Sequence, residues 1–306
     1  MQALGELYGQ FVEDRKYLKN VSRKTLAGYK SAWGAFGPHL SDVAEETAVK
    51  TAVKAAIIAI QKDARKKTRA KGQRAISDGS INNYLTVVNA LLAWAHEEDK
   101  MDRLIHFVKL KTLKKVRSVL TPEEIDAFLK FKPSGINETR LKCLITISLD
   151  CGLRLMEVRK LKKENIDLDN LLLKIFSGKG RKQRLVPFSE ELRKVVYRYM
   201  RDNSQLIVDG FLFGTSGKKL YSQRNISRDL TNLCAKLGLR HITFHQLRHT
   251  FATEYLKRGG DLMKLKRIMG HSTISTTQIY EHMQTEDLQE GFDRLSSINT
   301  RIGAED

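Results

Sequence analysis

Apolar residues recur at helical spacing through most of this chain. Near its start, Leu4, Leu7 and Phe11 fall on one stripe, as expected of an amphipathic α-helix. Two short stretches, 171–176 and 184–188, instead have the character of strands, and the glycine-containing sequence between them is typical of a hairpin turn. The sequence therefore predicts a mainly α fold with a small β-sheet.

Residues 1–108 predict a small helical bundle without a catalytic cluster of its own. Helices are expected over residues 3–18, 22–36, 44–71 and 80–98, the second capped by Ser22. The third helix runs into a basic stretch beside a glycine-containing loop, from which long side chains can reach a phosphate backbone; a merely solvated face is the alternative. The basic residues of this stretch are Arg65, Lys66, Lys67, Arg69, Lys71 and Arg74.

Residues 109–118 form a basic segment that predicts a linker between two domains. Five of its first nine residues are cationic. A tether of this composition can lie along DNA, or it can serve only as a soluble connection. The cations that we expect to contact DNA are Lys109, Lys111, Lys114 and Lys115.

Residues 119–306 predict a second, mostly helical domain. Its first helix has a clear start signal, because Thr121 and Glu124 have the spacing of a capping box around a proline. A buried helix over 137–150 is expected to end at Gly152, where glycine suits a helix C-terminus. Ser189 is expected to cap a later helix, which follows the two strands.

The charge balance points to a polyanionic partner. Lys and Arg number 54 against 35 acidic residues, giving a formal net charge of +19. Nucleic acid is the leading candidate, while a membrane surface and simple solubility are the alternatives. The 306 residues, 41% of them hydrophobic, suffice for two domain cores.

The chain has no sequence signal for secretion or for a structural metal. Its three cysteines, Cys143, Cys151 and Cys234, lack paired metal spacing and lie among apolar neighbours, so we expect reduced core thiols. No apolar run approaches the ~18 residues of a membrane span, and the N-terminus lacks a basic signal-peptide start. We therefore expect a cytosolic protein that does not contact a membrane.

The stretch 243–282 concentrates residues that can handle phosphate. Thr243 and Gln246 match a capping box, so a helix is expected over 244–257. His245 and Arg248 are three residues apart and share a face at the start of this helix, opposite the side expected to face the core. Free amides and the helix dipole favour phosphate at such an end.

The same stretch continues with three further residues of interest. Asp261 is expected to cap another helix, and Gly270 to end it and present His271 from a turn. A final short turn carries Tyr280. Taken alone, each of these side chains is more commonly structural than catalytic.

Five motifs in order resemble those of the tyrosine recombinases, the site-specific DNA recombinases and integrases. Their order and separations make the resemblance specific from Leu120 onward and diffuse before it. The motifs are Gly-Leu-Arg-Leu-Met-Glu at 152–157, Gly-Lys-Gly-Arg-Lys-Gln-Arg at 178–184, His-Gln-Leu-Arg-His-Thr-Phe-Ala-Thr at 245–253, Met-Gly-His-Ser at 269–272 and Thr-Thr-Gln-Ile-Tyr-Glu-His at 276–282.

The resemblance implies an N-terminal SAM-like helical core-binding domain and a tyrosine recombinase catalytic domain. It also implies a supporting role for Glu157. Beside the turn lysine, we expect Arg181 and Lys182 to contact DNA. The active-site positions it implies are Arg154, Lys179, His245, Arg248, His271 and, as nucleophile, Tyr280.

The chemistry of phosphodiester cleavage explains these residue types. Two guanidiniums, Arg154 and Arg248, can clamp the nonbridging oxygens with bidentate, charge-assisted hydrogen bonds. Tyr280 has an ordinary pKa of about 10 and must lose its proton as it attacks. The resemblance assigns Lys179 as general acid for the leaving 5′ oxygen, and the two histidines, His245 and His271, as phosphate contacts.

The implied product is a 3′-phosphotyrosyl enzyme, which keeps the bond energy and needs no cofactor, metal or ATP. The implied partners are double-stranded DNA core sites and a homo-tetramer that passes through a Holliday junction, with room for an accessory protein. The C-terminal tail, 299–306, either packs on its own domain or docks into a neighbouring protomer.

Two other functions stay open at this point. A type IB topoisomerase shares the arginine, lysine, histidine and tyrosine logic but does not pair two DNA sites. A DNA-binding regulator without catalysis would keep the fold and lose a catalytic residue. All six implied positions are filled here, which favours the recombinase.

Overall fold

The structure is a computed structural model. It describes residues 1–69, 76–112, 118–177 and 182–270 together with Ile298, and within these ranges the side chains of 64–69, 177 and 182 are left out. The chain divides into two compact units, Met1–Lys115 and Val116–Asp306.

The first unit is built from helices around an apolar core. Side chains from every helix meet there, among them the fully buried Leu7, Phe11, Phe36 and Leu85. Ser22 caps the second helix through the amide of Thr25, as predicted. The helices are α1 (Leu4–Glu13), followed by a π-helical turn (Asp14–Leu18), α2 (Arg23–Leu40), α3 (Glu46–Arg69) and α4 (Asp78–Glu97).

The first two predicted helices differ from the observed ones at their C-terminal ends. The helix expected over 3–18 changes after Glu13 into a π-helical turn. The helix expected to end at Phe36 continues to Leu40, which is fully buried. Burial of this apolar side chain favours the extra turn despite the proline inside it.

Two asparagines on α4 hold the chain that leaves the first unit. Asn89 accepts from the amide of Phe107 and donates to its carbonyl, both at 2.9 Å. Asn82 pairs in the same way with Leu110, at 2.7 and 2.9 Å. The predicted linker therefore starts firmly attached to this unit, with Lys109 and Lys111 exposed on either side of Leu110.

The second unit combines helices with a small antiparallel sheet. Strands pair in the order β1-β2-β3, and Leu173 lies opposite Val186 in the register of the hairpin. The strands are β1 (Ile166–Asp167), β2 (Leu172–Ser177) and β3 (Lys182–Pro187). The helices are α5 (Pro122–Lys130), α6 (Ile136–Cys151), α7 (Leu155–Arg159), α8 (Glu190–Asp202), α9 (Gln223–Lys236), α10 (Phe244–Lys257) and α11 (Leu262–Met269).

The predicted helix signals of the second unit are confirmed. Thr121 and Glu124 form a capping box, and Ser189 caps α8. Gly152 ends α6 in the left-handed conformation at φ 60°. Strand β1 was not predicted, because two residues are too few for a readable alternation.

The core of the second unit surrounds α6, whose side chains are buried on nearly every side. All three cysteines are buried and free, as expected of core thiols. Burial raises the pKa of the Cys151 thiol well above its ordinary value. Ile298, near the C-terminus, is fully buried in this same core.

The chain enters the second unit through contacts with its later part. Arg240 donates to both carboxylate oxygens of Glu124, at 2.6 and 2.9 Å, and to the carbonyl of Val119 at 3.0 Å. Thr250 on α10 accepts from the amide of Leu120 at 2.9 Å. The segment that follows the linker is therefore attached to α10.

Among the residues that the structure describes, the helices lack the combination of length and apolar character that a membrane span requires.

Candidate active site

A sharp turn between α6 and α7 places Arg154. Gly152 lies so close to α10 that a Cβ atom there would come within 2.2 Å of the Phe251 ring. Only glycine combines this approach with a positive φ, so α6 and α10 can pack closely. Leu153 is buried and anchors the turn, and Arg154 follows as the N-cap of α7 with a side chain that is 43% exposed.

Helix α10 begins with the predicted capping box of Thr243 and Gln246. His245 is exposed in the first turn, whereas Arg248 is only 3% exposed. The expectation that Arg248 lies away from the core is therefore wrong. The reason is that its guanidinium donates hydrogen bonds to two backbone carbonyls inside the domain, that of Gly152 at 2.6 Å and that of Met269 at 2.8 Å, and these bonds offset the loss of water.

Three guanidiniums converge on the C-terminal carbonyls of α11. Arg154 donates to the carbonyls of Met269 and Gly270, at 3.3 and 3.1 Å. Arg248 donates to Met269, and Arg184 on β3 donates to Ile268 at 2.7 Å. The last carbonyls of a helix have no partner within the helix and carry the negative end of its dipole, so cations stabilise them. Gly270 then ends α11 in the left-handed conformation, as predicted, directly before His271.

Glu157 is the carboxylate that the arginines share. Its oxygens accept from the guanidinium of Arg154 at 3.1 Å and from that of Arg184 at 2.9 and 2.8 Å. It also accepts from the backbone amide of Arg154 at 2.8 Å. Burial by itself would raise the pKa of Glu157, but the hydrogen bonds and charges of Arg184 and Arg154 outweigh it and lower that pKa.

The cluster carries an excess of positive charge. Within the described ranges, Arg154 and Arg184 hydrogen-bond a single carboxylate, Glu157, whereas Arg248 donates to the backbone carbonyls of Gly152 and Met269. Burial lowers the pKa of Arg248 to about 10, and the charge of Arg154 acts in the same direction. Arg248 is therefore still charged at neutral pH but poorly compensated. An anion is the ligand that such a site favours.

The two predicted arginines keep hydrogen-bond donors for this anion. A guanidinium has five N–H groups. Among the described residues, Arg248 uses two N–H groups on carbonyls, and Arg154 uses three on carbonyls and Glu157. Both also reach the same oxygen, the carbonyl of Met269, so their guanidiniums are neighbours. One tetrahedral oxyanion can contact both.

Arg184 is a residue of this site that sequence reasoning did not single out. It is 5% exposed and lies on β3, with Gln183 exposed before it and Val186 fully buried two positions later. Alternate residues of a strand share a face, so Arg184 occupies an inward position. A charged residue on the buried face of a strand was the available signal.

The remaining predicted site residues lie largely outside the described part of the chain. Lys179, His271 and Tyr280 are among them. Of the other three implied catalytic positions, Arg154 and Arg248 donate to the same carbonyl, that of Met269, and Arg154 bonds Glu157. His245 is exposed in the first turn of α10, three residues before Arg248. Lys109 and Lys111 are the predicted DNA contacts with described side chains, and both are exposed. The others, outside the described side chains, are Arg65, Lys66, Lys67, Arg69, Lys71, Arg74, Lys114, Lys115, Arg181 and Lys182.

No group of three or more His, Cys, Asp or Glu that could hold a metal ion occurs among the residues that the structure describes. The donors of the cluster are guanidiniums, which repel cations. Its geometry suits direct contact with an anion.

The chain is similar to known proteins in sequence and in fold. The sequence pattern of the phage integrase family matches residues 118–287. Tyrosine recombinase XerA of Pyrococcus furiosus is 31% identical over 243 residues, which cover 78% of this chain and 81% of XerA.

Two solved structures share the fold. One is the Tn1549 transposon integrase in complex with transposon right-end DNA, with a TM-score of 0.72 and 22% identity over 94% of this chain and 97% of that one. The other is the lambda integrase tetramer bound to a Holliday junction, with a TM-score of 0.68 and 17% identity over 90% of this chain and 79% of that one. With the family match and the XerA relative, the chain belongs to the phage integrase family of tyrosine recombinases.

Proposed function

We propose that this protein is a site-specific DNA recombinase that breaks and rejoins DNA through a covalent bond between Tyr280 and a 3′ phosphate. The observation that carries the proposal is the meeting of Arg154 and Arg248 at one carbonyl oxygen, that of Met269, at 3.3 and 2.8 Å. Two adjacent guanidiniums can hold the nonbridging oxygens of one phosphodiester.

The arginines would act by stabilising the charge that develops on the phosphate during attack. Both are held by backbone carbonyls before the substrate binds, so little reorganisation is needed when the charge appears. Burial of Arg248 strengthens this effect, because a charge that has already lost water interacts more strongly with an anion. The side chain of Arg154 is 43% exposed, so it is accessible to a phosphate from solvent.

The other proposed roles follow the chemistry of the step. Tyr280 supplies the nucleophile and Lys179 returns a proton to the 5′ oxygen. His245, exposed at the start of α10, and His271, directly after the α11 cap, contact the phosphate. Glu157 orients Arg154 through its backbone amide and its guanidinium.

The proposed partners are double-stranded DNA core sites and further copies of this chain. The lambda integrase that shares this fold was solved as a tetramer bound to a Holliday junction. We propose the same assembly here, acting in the cytoplasm where its DNA is held, with an accessory protein as a further partner. The C-terminal tail, 299–306, lies outside the described residues; Ile298, directly before it, is buried in the core of the second unit.

Covalent trapping tests the proposal. DNA sites are first selected from a random duplex pool by binding to the protein, and a selected site is then nicked near its centre so that cleavage cannot reverse. Wild-type protein is expected to form a covalent adduct that Tyr280→Phe lacks. Tyr197→Phe, at an exposed tyrosine of α8, is the matched control and should keep the adduct.

The outcome separates the three candidate functions. A regulator without catalysis binds the selected site but forms no adduct. A topoisomerase-like enzyme forms the adduct and relaxes supercoiled DNA without joining two sites. Holliday junctions formed from two copies of the selected site would establish the recombinase.

A further inference from the structure

A buried arginine on β3, Arg184, is not among the residues that carry out the proposed reaction. Its side chain is 5% exposed, and its position on the inward face of the strand would ordinarily hold an apolar residue. A buried guanidinium costs free energy unless every contact is well formed. The contacts of Arg184 therefore indicate why the chain tolerates it.

Arg184 connects three elements, β3, α7 and α11, that adjoin predicted active-site residues in the sequence. Its Nη atoms donate to the two oxygens of Glu157 at 2.9 and 2.8 Å, in the parallel fork that arginine forms with a carboxylate. Its Nε donates to the carbonyl of Ile268 on α11 at 2.7 Å. The strand that carries it begins three residues after Lys179 in the sequence.

Glu157 transmits this contact to Arg154. The same two carboxylate oxygens that accept from Arg184 also accept from the backbone amide and the guanidinium of Arg154, at 2.8 and 3.1 Å. Because Arg184 fixes the plane of the carboxylate, it also fixes the direction in which Arg154 is held. Without it, the Glu157 carboxylate would keep, among the hydrogen bonds of the described ranges, only those from Arg154 itself.

The contact with α11 is equally close. A Cβ atom on Gly270 would lie 3.0 Å from the guanidinium of Arg184, so the left-handed cap and the arginine fit against one another. His271 is the next residue along the chain. The position of Arg184 therefore also determines where the chain leaves α11.

We infer that Arg184 is a positioning residue for DNA cleavage, acting through Glu157 on Arg154 and through the end of α11. This inference rests on the proposed function. Arg184 touches no substrate; it keeps the phosphate-binding arginines in the geometry that cleavage needs. Lysine at this position keeps the charge but loses the fork.

The test compares Arg184→Lys with the wild type in two measurements on a selected DNA site. Single-turnover formation of the covalent adduct at saturating DNA is expected to slow about 10- to 100-fold, by analogy with groups that orient the ligands of a metal site. DNA affinity is expected to stay close to that of the wild type, because Arg184 is buried. A rate equal to that of the wild type would overturn the inference.

Arg240→Lys is the matched control. Arg240 likewise donates hydrogen bonds to both oxygens of a carboxylate, that of Glu124, and to a backbone carbonyl, that of Val119. Loss of this fork should lower the melting temperature and leave the rate of adduct formation at saturating DNA unchanged. Equal slowing in both variants would mean that the effect of Arg184 is only structural, against the inference.

A double-mutant cycle shows whether Arg184 acts through Glu157. Glu157→Gln keeps the shape of the side chain but removes its charge. Its rate of adduct formation therefore tests the same contact even where Arg184→Lys folds poorly. The double variant is expected to be about as slow as the slower single variant, because both changes break the same path. If the rate losses of the two single variants multiply in the double variant, Arg184 does not act through Glu157.

Failure of the inference and failure of the proposed function give different results. If the wild type forms no adduct, the proposed function is wrong. If the wild type forms a Tyr280-dependent adduct and Arg184→Lys forms it at the same rate, only the inference is wrong.

Discussion

The two units of the chain bury different kinds of side chain. In the first unit the buried side chains described by the structure are apolar, from Leu4 to Phe107. The buried polar and charged side chains all belong to the second unit; in the described ranges they are Glu124, Arg140, Thr146, Ser148, Asp150, Arg184, Ser189, Asn203, Arg248 and Thr250.

This difference indicates that the second unit tolerates buried charges that lower its stability because they serve its function. An apolar core stabilises a unit in proportion to the area it buries. A buried charge is held only at a cost, and its presence points to a role that an apolar residue could not fill. On the proposed function, the first unit is a support with exposed basic side chains such as Lys109 and Lys111, and the second unit carries the chemistry.

The basic surface gives the largest expected effect. Many phosphate contacts would make DNA affinity fall about 10³-fold or more between roughly 50 and 200 mM salt. Changing the exposed pair Lys109→Ala and Lys111→Ala should lower the slope of log affinity against log salt by about 2 and leave the cleavage rate at saturating DNA unchanged. A flat salt response of the wild type would contradict the basic surface.

The buried charge of the second unit gives the next effect. Arg248→Lys should slow single-turnover cleavage about 10²- to 10³-fold, because the lysine cannot reach both the carbonyls and the phosphate. DNA affinity in a gel-shift assay should change little. Unaltered cleavage would remove Arg248 from the site.

A change in the apolar core of the first unit should lower stability and leave the cleavage rate unchanged. Phe36→Ala removes a fully buried ring and should cost about 3–5 kcal/mol of stability in thermal or urea unfolding. Below the melting temperature, the rate of cleavage at saturating DNA should stay that of the wild type. A large loss of cleavage rate in the folded Phe36→Ala protein would contradict the assignment of cleavage to the second unit.

The smallest expected effect concerns pH. The pKa of Glu157 is lowered in the folded protein, so its ion pairs stabilise the fold above its ordinary pKa of 4.5 and this stabilisation is lost as pH falls through the lowered value. Glu157→Gln should therefore be less stable than the wild type at neutral pH, and the difference should shrink in acid. Melting temperatures measured from neutral to acidic pH check this, and a difference that grows in acid would reverse the assignment.

Features that depend on neighbouring residues could be predicted from the sequence. The capping boxes at Thr121 and Thr243 and the left-handed ends at Gly152 and Gly270 involve side chains or turns within a few residues. The family motifs predicted Arg154 and Arg248 for one site, and in the fold both donate to the carbonyl of Met269. Short-range chemistry and motif order thus predicted the fold class and the candidate residues.

Features that depend on distant segments could not be predicted. Arg248 is buried because it bonds a carbonyl 96 residues away in sequence, that of Gly152. Arg184 is tolerated because Ile268, 84 residues away, accepts from it. No local pattern reports such acceptors, so the interior position of these charges became visible only in the fold.

The central claim is that Arg154 and Arg248 act together on one phosphate, and a double-mutant cycle tests it most directly. Single-turnover cleavage of a selected, nicked DNA site is measured for Arg154→Lys, Arg248→Lys and the double variant. If the two guanidiniums form one clamp, the double variant should be about as slow as the slower single variant, with little further loss. Losses that multiply in the double variant would show that the two arginines act independently and would contradict the claim.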